Sequence, residues 1–170
     1  ATATGLSAGV YCVTVVDQNG CNDIVCVTIT EPTSITATLS TDSVTCFGGS
    51  DGIVNVVASG GTPYLASAGY TYQWGVNAGN ATTATVTGLP IGLYCVTVTD
   101  TLGCQDSTCV VLTQPDSVQV ISNLTFPSCN GDSDGQIAVT TIGGTPGYTY
   151  QWGANAGNAT TAVITGLTTG

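Results

Sequence analysis

The 170-residue chain contains no lysine, no arginine, no histidine and no methionine. Without cationic side chains it has nothing to neutralise phosphate, which excludes nucleic acid as the natural partner. The phosphate-loop lysine and the histidine general base are missing for the same reason. No apolar run approaches the roughly 18 residues that a helical membrane span needs. No secretory signal pattern stands at the start. The absent initiator Met suggests a mature or internal piece of a longer protein, or a trimmed start. Charged residues make up only 6% of the chain, and all ten are acidic, for a formal charge of −10. The hydrophobic share of 42% separates it from highly charged disordered tails. Solubility then rests on Thr, Ser, Asn and Gln, helped by attached sugars.

What is present is repetition. Gly5–Cys21 reads GLSAGVYCVTVVDQNGC, and Gly88–Cys104 reads GLPIGLYCVTVTDTLGC, 83 positions later. Gly69–Gly88 reads GYTYQWGVNAGNATTATVTG and recurs as GYTYQWGANAGNATTAVITG at Gly147–Gly166. A fixed period of this length marks a repeat array. Two polar joints, Thr30-Glu31-Pro32 and Thr113-Gln114-Pro115, lie 83 residues apart and divide the chain. Residues 33–115 form one complete module. Residues 1–32 are the back part of a preceding one, and residues 116–170 are the front part of a following one. The third segment lacks five residues: Tyr64–Ala68 intervenes between Pro63 and Gly69, whereas Pro146 meets Gly147 directly. Such a change is tolerated in a loop.

Within a module the apolar period is two, as in half-buried strands. Ile35, Ala37 and Leu39 alternate with polar residues. Ile53–Val57, Tyr70–Trp74, Ala84–Thr87, Tyr94–Thr99 and Thr108–Leu112 follow, separated by Gly, Asn, Asp and Pro. No stretch carries a helical stripe. Six or seven short strands in about 83 residues predict an all-β fold of tandem immunoglobulin-like β-sandwich modules stabilised by disulfides. A small barrel is the alternative. Trp74 and Trp152 are expected as core anchors, with Tyr72 and Tyr150 on the same side of the strand.

Eight cysteines recur at the same period: Cys12 with Cys95, Cys21 with Cys104, Cys26 with Cys109, and Cys46 with Cys129. Their number and regularity fit an oxidising, extracellular setting. The nine-residue spacing of Cys12 and Cys21, with no histidine nearby, does not match zinc ligation. Around a tight turn that pairs Thr99 with Gln105, Cys95 falls opposite Cys109, and Cys12 falls opposite Cys26. Cys46 and Cys104 remain in the complete module. Joining them would close a 58-residue loop and stabilise the fold by roughly 4 kcal/mol in the chain-entropy account. The rival pairing, Cys21–Cys46 and Cys104–Cys129, staples neighbouring modules across the proline joints.

Other motifs admit plain readings. Gly60-Gly61-Thr62-Pro63 and Gly143-Gly144-Thr145-Pro146 are turns, not phosphate loops. Ser50-Asp51-Gly52 and Asp132-Ser133-Asp134-Gly135 resemble pieces of calcium loops but lack the ligand count of an EF-hand. Asx-turn capping is the plainer account, with low-affinity Ca²⁺ across a joint as the alternative; no other cofactor is expected. The acids sit at turns and form no evident glycosidase pair, so an enzyme is not expected. Three Asn-x-Thr triplets stand at Asn80, Asn123 and Asn158. Candidate O-glycosylation positions are Ser43, Thr101, Ser107 and Ser117, each preceded by Asp. These Asp-Ser/Thr triplets resemble the O-glycosylation signal of the phylum Bacteroidota.

One ordered set of residues resembles a known family. It runs Cys46-Phe47-Gly48-Gly49-Ser50-Asp51-Gly52, Gly60-Gly61-Thr62-Pro63-Tyr64, Tyr70-Thr71-Tyr72-Gln73-Trp74, Thr87-Gly88-Leu89, Gly92–Asp100 and Gly103-Cys104. It is similar to the SprB repeat, named for the large surface adhesin of gliding Bacteroidota. The third segment repeats the set at Cys129–Gly135, Gly143–Pro146 and Tyr148–Trp152, and the first supplies Thr4–Leu6, Gly9–Tyr11 and Gly20-Cys21, so the resemblance runs over essentially the whole chain. It implies immunoglobulin- or PKD-like modules in very long secreted or cell-surface proteins, often exported by the type IX system. The extra hairpin pair departs from the usual repeat, where the position of Cys95 is generally Thr, and suggests a hardened variant.

The expected function is therefore a structural repeat unit of a long extracellular fibre or stalk, assembled head to tail. A glycan-binding adhesin that grips extracellular polysaccharide is the alternative, and a secreted glycosidase a remoter one. Residues 116–170 hold the early strands of a module and residues 1–32 hold the strands missing there. The first is expected to meet the second of an identical copy or adjacent repeat, with Cys21 opposite Cys129. Two arrangements produce that contact: a window cut from a continuous polymer, which the near-duplicate ends Ala1–Gly9 and Ala162–Gly170 favour, or separate subunits that complete each other.

Overall fold

Alternating β-branched residues bounded by Gly, Asn and Asp give strands, and in a computed structural model, described for residues 2–62 and 69–168, the regular structure is almost all strand. The insertion Tyr64–Ala68 lies outside the described residues. The middle of the chain carries β3 (Thr36–Asp42), β4 (Gly52–Ser59), β5 (Thr71–Trp74), β6 (Thr85–Leu89), β7 (Gly92–Thr99) and β8 (Gln105–Leu112). The only helical pieces among the described residues are two single 3-10 turns, Val76–Ala78 and Ala154–Ala156. Before these strands lie β1 (Gly9–Val16) and β2 (Asn22–Ile29). After them come β9 (Gln119–Thr125), β10 (Gly135–Ile142) and β11 (Val163–Leu167).

The middle segment has two antiparallel three-stranded sheets, ordered β3-β4-β6 and β5-β7-β8. They share one core. Val54 and Val56 of β4 and Leu89 of β6 meet Trp74 of β5, Tyr94, Val96 and Val98 of β7, and Leu112 of β8. Every second residue of β7 is buried, which is the strand period written into side chains. Burial of each Val or Leu here is worth about 1.5–3 kcal/mol against exposure. The Trp74 indole N–H donates to the Thr83 carbonyl at 2.8 Å, so its one polar atom is satisfied.

The chain enters this core at one end and leaves at the other. On the entry side the Gly61 amide donates to the Thr33 carbonyl, and the Thr101 amide to the Thr62 carbonyl. Residues 33–37 therefore lie beside the β7–β8 turn. On the exit side the Val44 amide donates to the Thr113 carbonyl, and the Gly48 amide to the Gln114 side-chain carbonyl at 2.8 Å. Glycine is obligatory at the entry. Gly60 has φ +76°, and a Cβ there would stand 2.1 Å from the Ser34 carbonyl oxygen.

The flanking segments are built alike but stop short. β1 and β2 form a lone hairpin, and β9, β10 and β11 form a lone three-stranded sheet ordered β11-β10-β9. The hairpin matches β7–β8, and the lone sheet matches β3-β4-β6.

Candidate functional site

Two faces of this chain lack the partner that their counterparts possess. Thr71–Trp74 is a strand, paired from Thr71↔Thr99 to Trp74↔Val96 of β7. The same residues at Thr149–Trp152 form no strand, although their local hydrogen bonds are copied in detail. The Trp152 indole donates to the Thr161 carbonyl at 2.7 Å, and the Gln151 side-chain amide, through Nε2, to the Trp152 carbonyl at 3.1 Å, as in the first copy. Identical local chemistry thus gives a strand only where a β7 is present to receive it. A groove of about 420 Å³ opens beside Ile137, Trp152, Ile164 and Leu167, where the middle segment is filled.

The hairpin is the complementary piece. Val96 and Val98 are 1% and 0% exposed, whereas their counterparts Val13 and Val15 are 52% and 63% exposed. Its internal bonds are intact: all eight residue pairs from Gly9↔Ile29 to Val16↔Asn22 are made. What it lacks is a sheet against one edge and a core against one face.

The turns carry the same contrast. Asp100 is 1% exposed and accepts from the Thr62, Leu102 and Cys104 amides. These bonds, led by that of Thr62, hold its carboxyl below the ordinary range against the opposing effect of burial. Asp17 makes the local pair of bonds, from the Asn19 and Cys21 amides, and stands exposed. The counterpart of Thr62 is Thr145, in the lone sheet's segment.

Disulfides close between Cys12 and Cys26 and between Cys95 and Cys109, each pair directly opposed in its hairpin with a Cα separation of 4.0 Å. Cys21, Cys46, Cys104 and Cys129 are exposed free thiols. The expected Cys46–Cys104 bond is overturned by this geometry. Cys46 sits at the exit end, next to Thr113 and Gln114, while Cys104 sits in the β7–β8 turn at the entry end. The eight residues of β8 lie between, about 23 Å of extended strand, and a disulfide requires Cα atoms within about 7 Å. The same argument removes Cys21–Cys129 from one completed module. The Cys46 loop lies beside the far end of the last strand, not beside the last turn.

The remaining candidate residues have local roles. Asp51 accepts from the Thr45 amide at 3.1 Å and from its hydroxyl, and Asp134 accepts from the Ser128 amide and hydroxyl. The hydroxyl bonds come first in lowering both carboxyls below their usual range. These acids reach back six residues to brace a loop, rather than forward as in an Asx-turn. Among the described residues no three His, Cys, Asp or Glu side chains converge on a cation position. Ser43, Thr101 and Ser107 are exposed and Ser117 is half-buried. Trp74 is 1% exposed and offers no stacking face to a sugar.

Two tyrosine corners lie outside what strand alternation alone shows. The Tyr94 hydroxyl donates to the Pro90 carbonyl at 2.9 Å, and the Tyr11 hydroxyl to the Ser7 carbonyl at 2.9 Å. Burial pushes the Tyr94 phenol up. A tyrosine at the start of a strand that bonds back four residues pins the corner leading into it. The recurring Gly-x-Tyr-Cys was its signal.

No curated protein matches the chain. The SprB repeat family model matches residues 34–79 and again 121–157. Both matches begin near the first strand of a unit and take in the Tyr-Thr-Tyr-Gln-Trp segment, and they lie in equivalent places. Two stretches of the chain, together just under half of its length, thus match the SprB repeat family.

Proposed function

We propose that this chain is a repeat unit of an extracellular, cell-surface fibre in which each incomplete module is finished by the next copy, head to tail. The observation that carries the proposal is the unpaired Tyr148–Trp152 segment, whose near-twin Tyr70–Trp74 is a strand only because β7 lies beside it. The β1–β2 hairpin of a following copy is the same element as β7–β8, and it presents the apolar face that the lone sheet lacks. Residues 116–170 of one copy and 1–32 of the next then form a module equivalent to residues 33–115. Strand addition of this kind supplies main-chain bonds and buries side chains together.

The middle module supports an immunoglobulin-like β-sandwich reading. Two three-stranded sheets, β3-β4-β6 and β5-β7-β8, enclose one core, with the chain crossing between them at β4–β5, β5–β6 and β6–β7; a tryptophan sits on the first strand of the second sheet, and a tyrosine corner opens β7. Because the chain enters at one end and leaves at the other, the hairpin and the lone sheet belong to opposite ends of the middle module. A contact between them across copies does not close on itself, and non-closing head-to-tail contacts make filaments. A fibre role needs no cofactor and no catalytic group.

Negative-stain electron microscopy of the full chain tests the reading. Fibres are expected. Discrete particles of monomer size, at concentrations that allow assembly, would overturn it. Denaturing, reducing electrophoresis of native material then tells whether consecutive copies are separate chains near 16.9 kDa or stretches of one longer polypeptide.

A further inference from the structure

Four thiols remain once the hairpin disulfides are closed, and in the fibre just proposed they fall into facing pairs. Cys46 lies at the exit end of the middle module. Its neighbour Phe47 lines a groove with Asp116, Ser117 and Gly143, which form the entry end of the next segment. At an entry end the middle module itself shows what is missing: Gly61 packs so closely on Asp100 that a Cβ would stand 2.7 Å from Oδ2, and Asp100 holds the Cys104 amide at 2.9 Å. Gly144 is the counterpart of Gly61, and Asp17 and Cys21 are the counterparts of Asp100 and Cys104. When the hairpin of a following copy completes the segment, Asp17 settles on Gly144. Its turn then brings Cys21 to the entry end, beside Gly143 and against the Phe47 and Cys46 of the module below.

We infer that the fibre carries a disulfide at every joint: Cys46 of one copy with Cys21 of the next, and Cys129 of one copy with Cys104 of the next. The second pair follows from the same geometry. Cys129 is the exit-end counterpart of Cys46, and Cys104 is the entry-end cysteine of the module that follows. This inference rests on the head-to-tail reading. In each bond two thiols lose two protons and two electrons as one S–S bond forms. The electrons reduce the disulfide of a thiol–disulfide oxidant to two thiols, by exchange through a mixed disulfide. The exposure of all four thiols leaves them open to that exchange.

The chain's composition makes the test clean. A protease that cuts before aspartate leaves each cysteine in question on its own peptide: 17–22, 42–50, 100–105 and 116–131. Fibres of the full chain, assembled with glutathione disulfide as oxidant, are alkylated with N-ethylmaleimide, denatured without reduction and digested. Peptide 17–22 is expected joined to 42–50, and 100–105 joined to 116–131. Alkylatable thiols should fall from four per chain to none. Fibres in which these four peptides carry the alkyl group, or in which 42–50 is joined to 100–105, would overturn the staples and leave head-to-tail assembly standing. A C21S/C104S double variant separates the two claims further: it should still form fibres, but lose both cross-linked peptides. Wild-type chain that forms no fibres would overturn assembly and staples together.

Discussion

The backbone amide of Thr62 donates to the carboxylate of Asp100 at 2.8 Å, joining two turns 38 residues apart at the entry end of the middle module. The bond favours the ionised acid, so the carboxyl is held below its ordinary range in the folded state. A group whose folded pKa is depressed adds stability above its unfolded pKa and loses it as pH falls through the folded value. The contribution of Asp100 is therefore complete above about pH 4 and disappears below it. Chemical denaturation of wild type and Asp100→Asn is expected to show wild type more stable at pH 7, with the difference shrinking towards pH 2. A difference unchanged across that range would refute the assignment.

Trp74 and Trp152 have the same sequence neighbours and different burial, which gives a paired test. Trp74→Ala should destabilise the middle module by about 3–5 kcal/mol, the usual cost of emptying a large aromatic site. Trp152→Ala should cost much less in unassembled chain, because its pocket is already open. In fibres the second cost should rise towards the first, read as a lower dissociation temperature.

Val13 and Val15 project from the hairpin face that the middle module buries in β7. V13D and V15D place a charge where the completed module is apolar. Both should abolish fibres while leaving the thermal unfolding of the middle module within about 0.5 kcal/mol of wild type, as for surface substitutions. Fibres of normal length from either variant would show that this face is not the joint.

The Cys95–Cys109 bond closes a sequence separation of 14. In the chain-entropy account a loop of that size is worth about 3 kcal/mol. C95S/C109S should lower the unfolding midpoint by an equivalent amount in denaturant, and the far-ultraviolet circular dichroism should stay that of a β-protein. An unchanged midpoint would mean that the unfolded chain gains little freedom when the bond is removed.

The strands of residues 36–112 were legible because alternation is a local signal and each strand here is half-buried. So was the Cys95–Cys109 register, since a tight turn leaves one way to fold back. Two things were not local. Tyr148–Trp152 reads as a strand just as Tyr70–Trp74 does, yet only one has a neighbour, and pairing is a property of two segments. Likewise the positions of Cys46 and Cys104 depend on which end of a strand each loop reaches. Spacing along the chain does not carry that information: 58 residues can return to the same end or cross to the other.

The opposite placement of entry and exit has a mechanical consequence. β3 leads in from one end and β8 leads out at the other; they pack against each other and run the same way. Tension applied along the fibre pulls the start of β3 and the end of β8 apart lengthwise. The Ala37 amide to Asp106 bond at 2.8 Å and the Val44 amide to Thr113 bond at 3.0 Å then bear load together, in shear, rather than unzipping one after the other. Should a module yield, Cys95–Cys109 keeps its hairpin from paying out as slack, so the fibre would lengthen by less than its contour allows before the next module takes the strain.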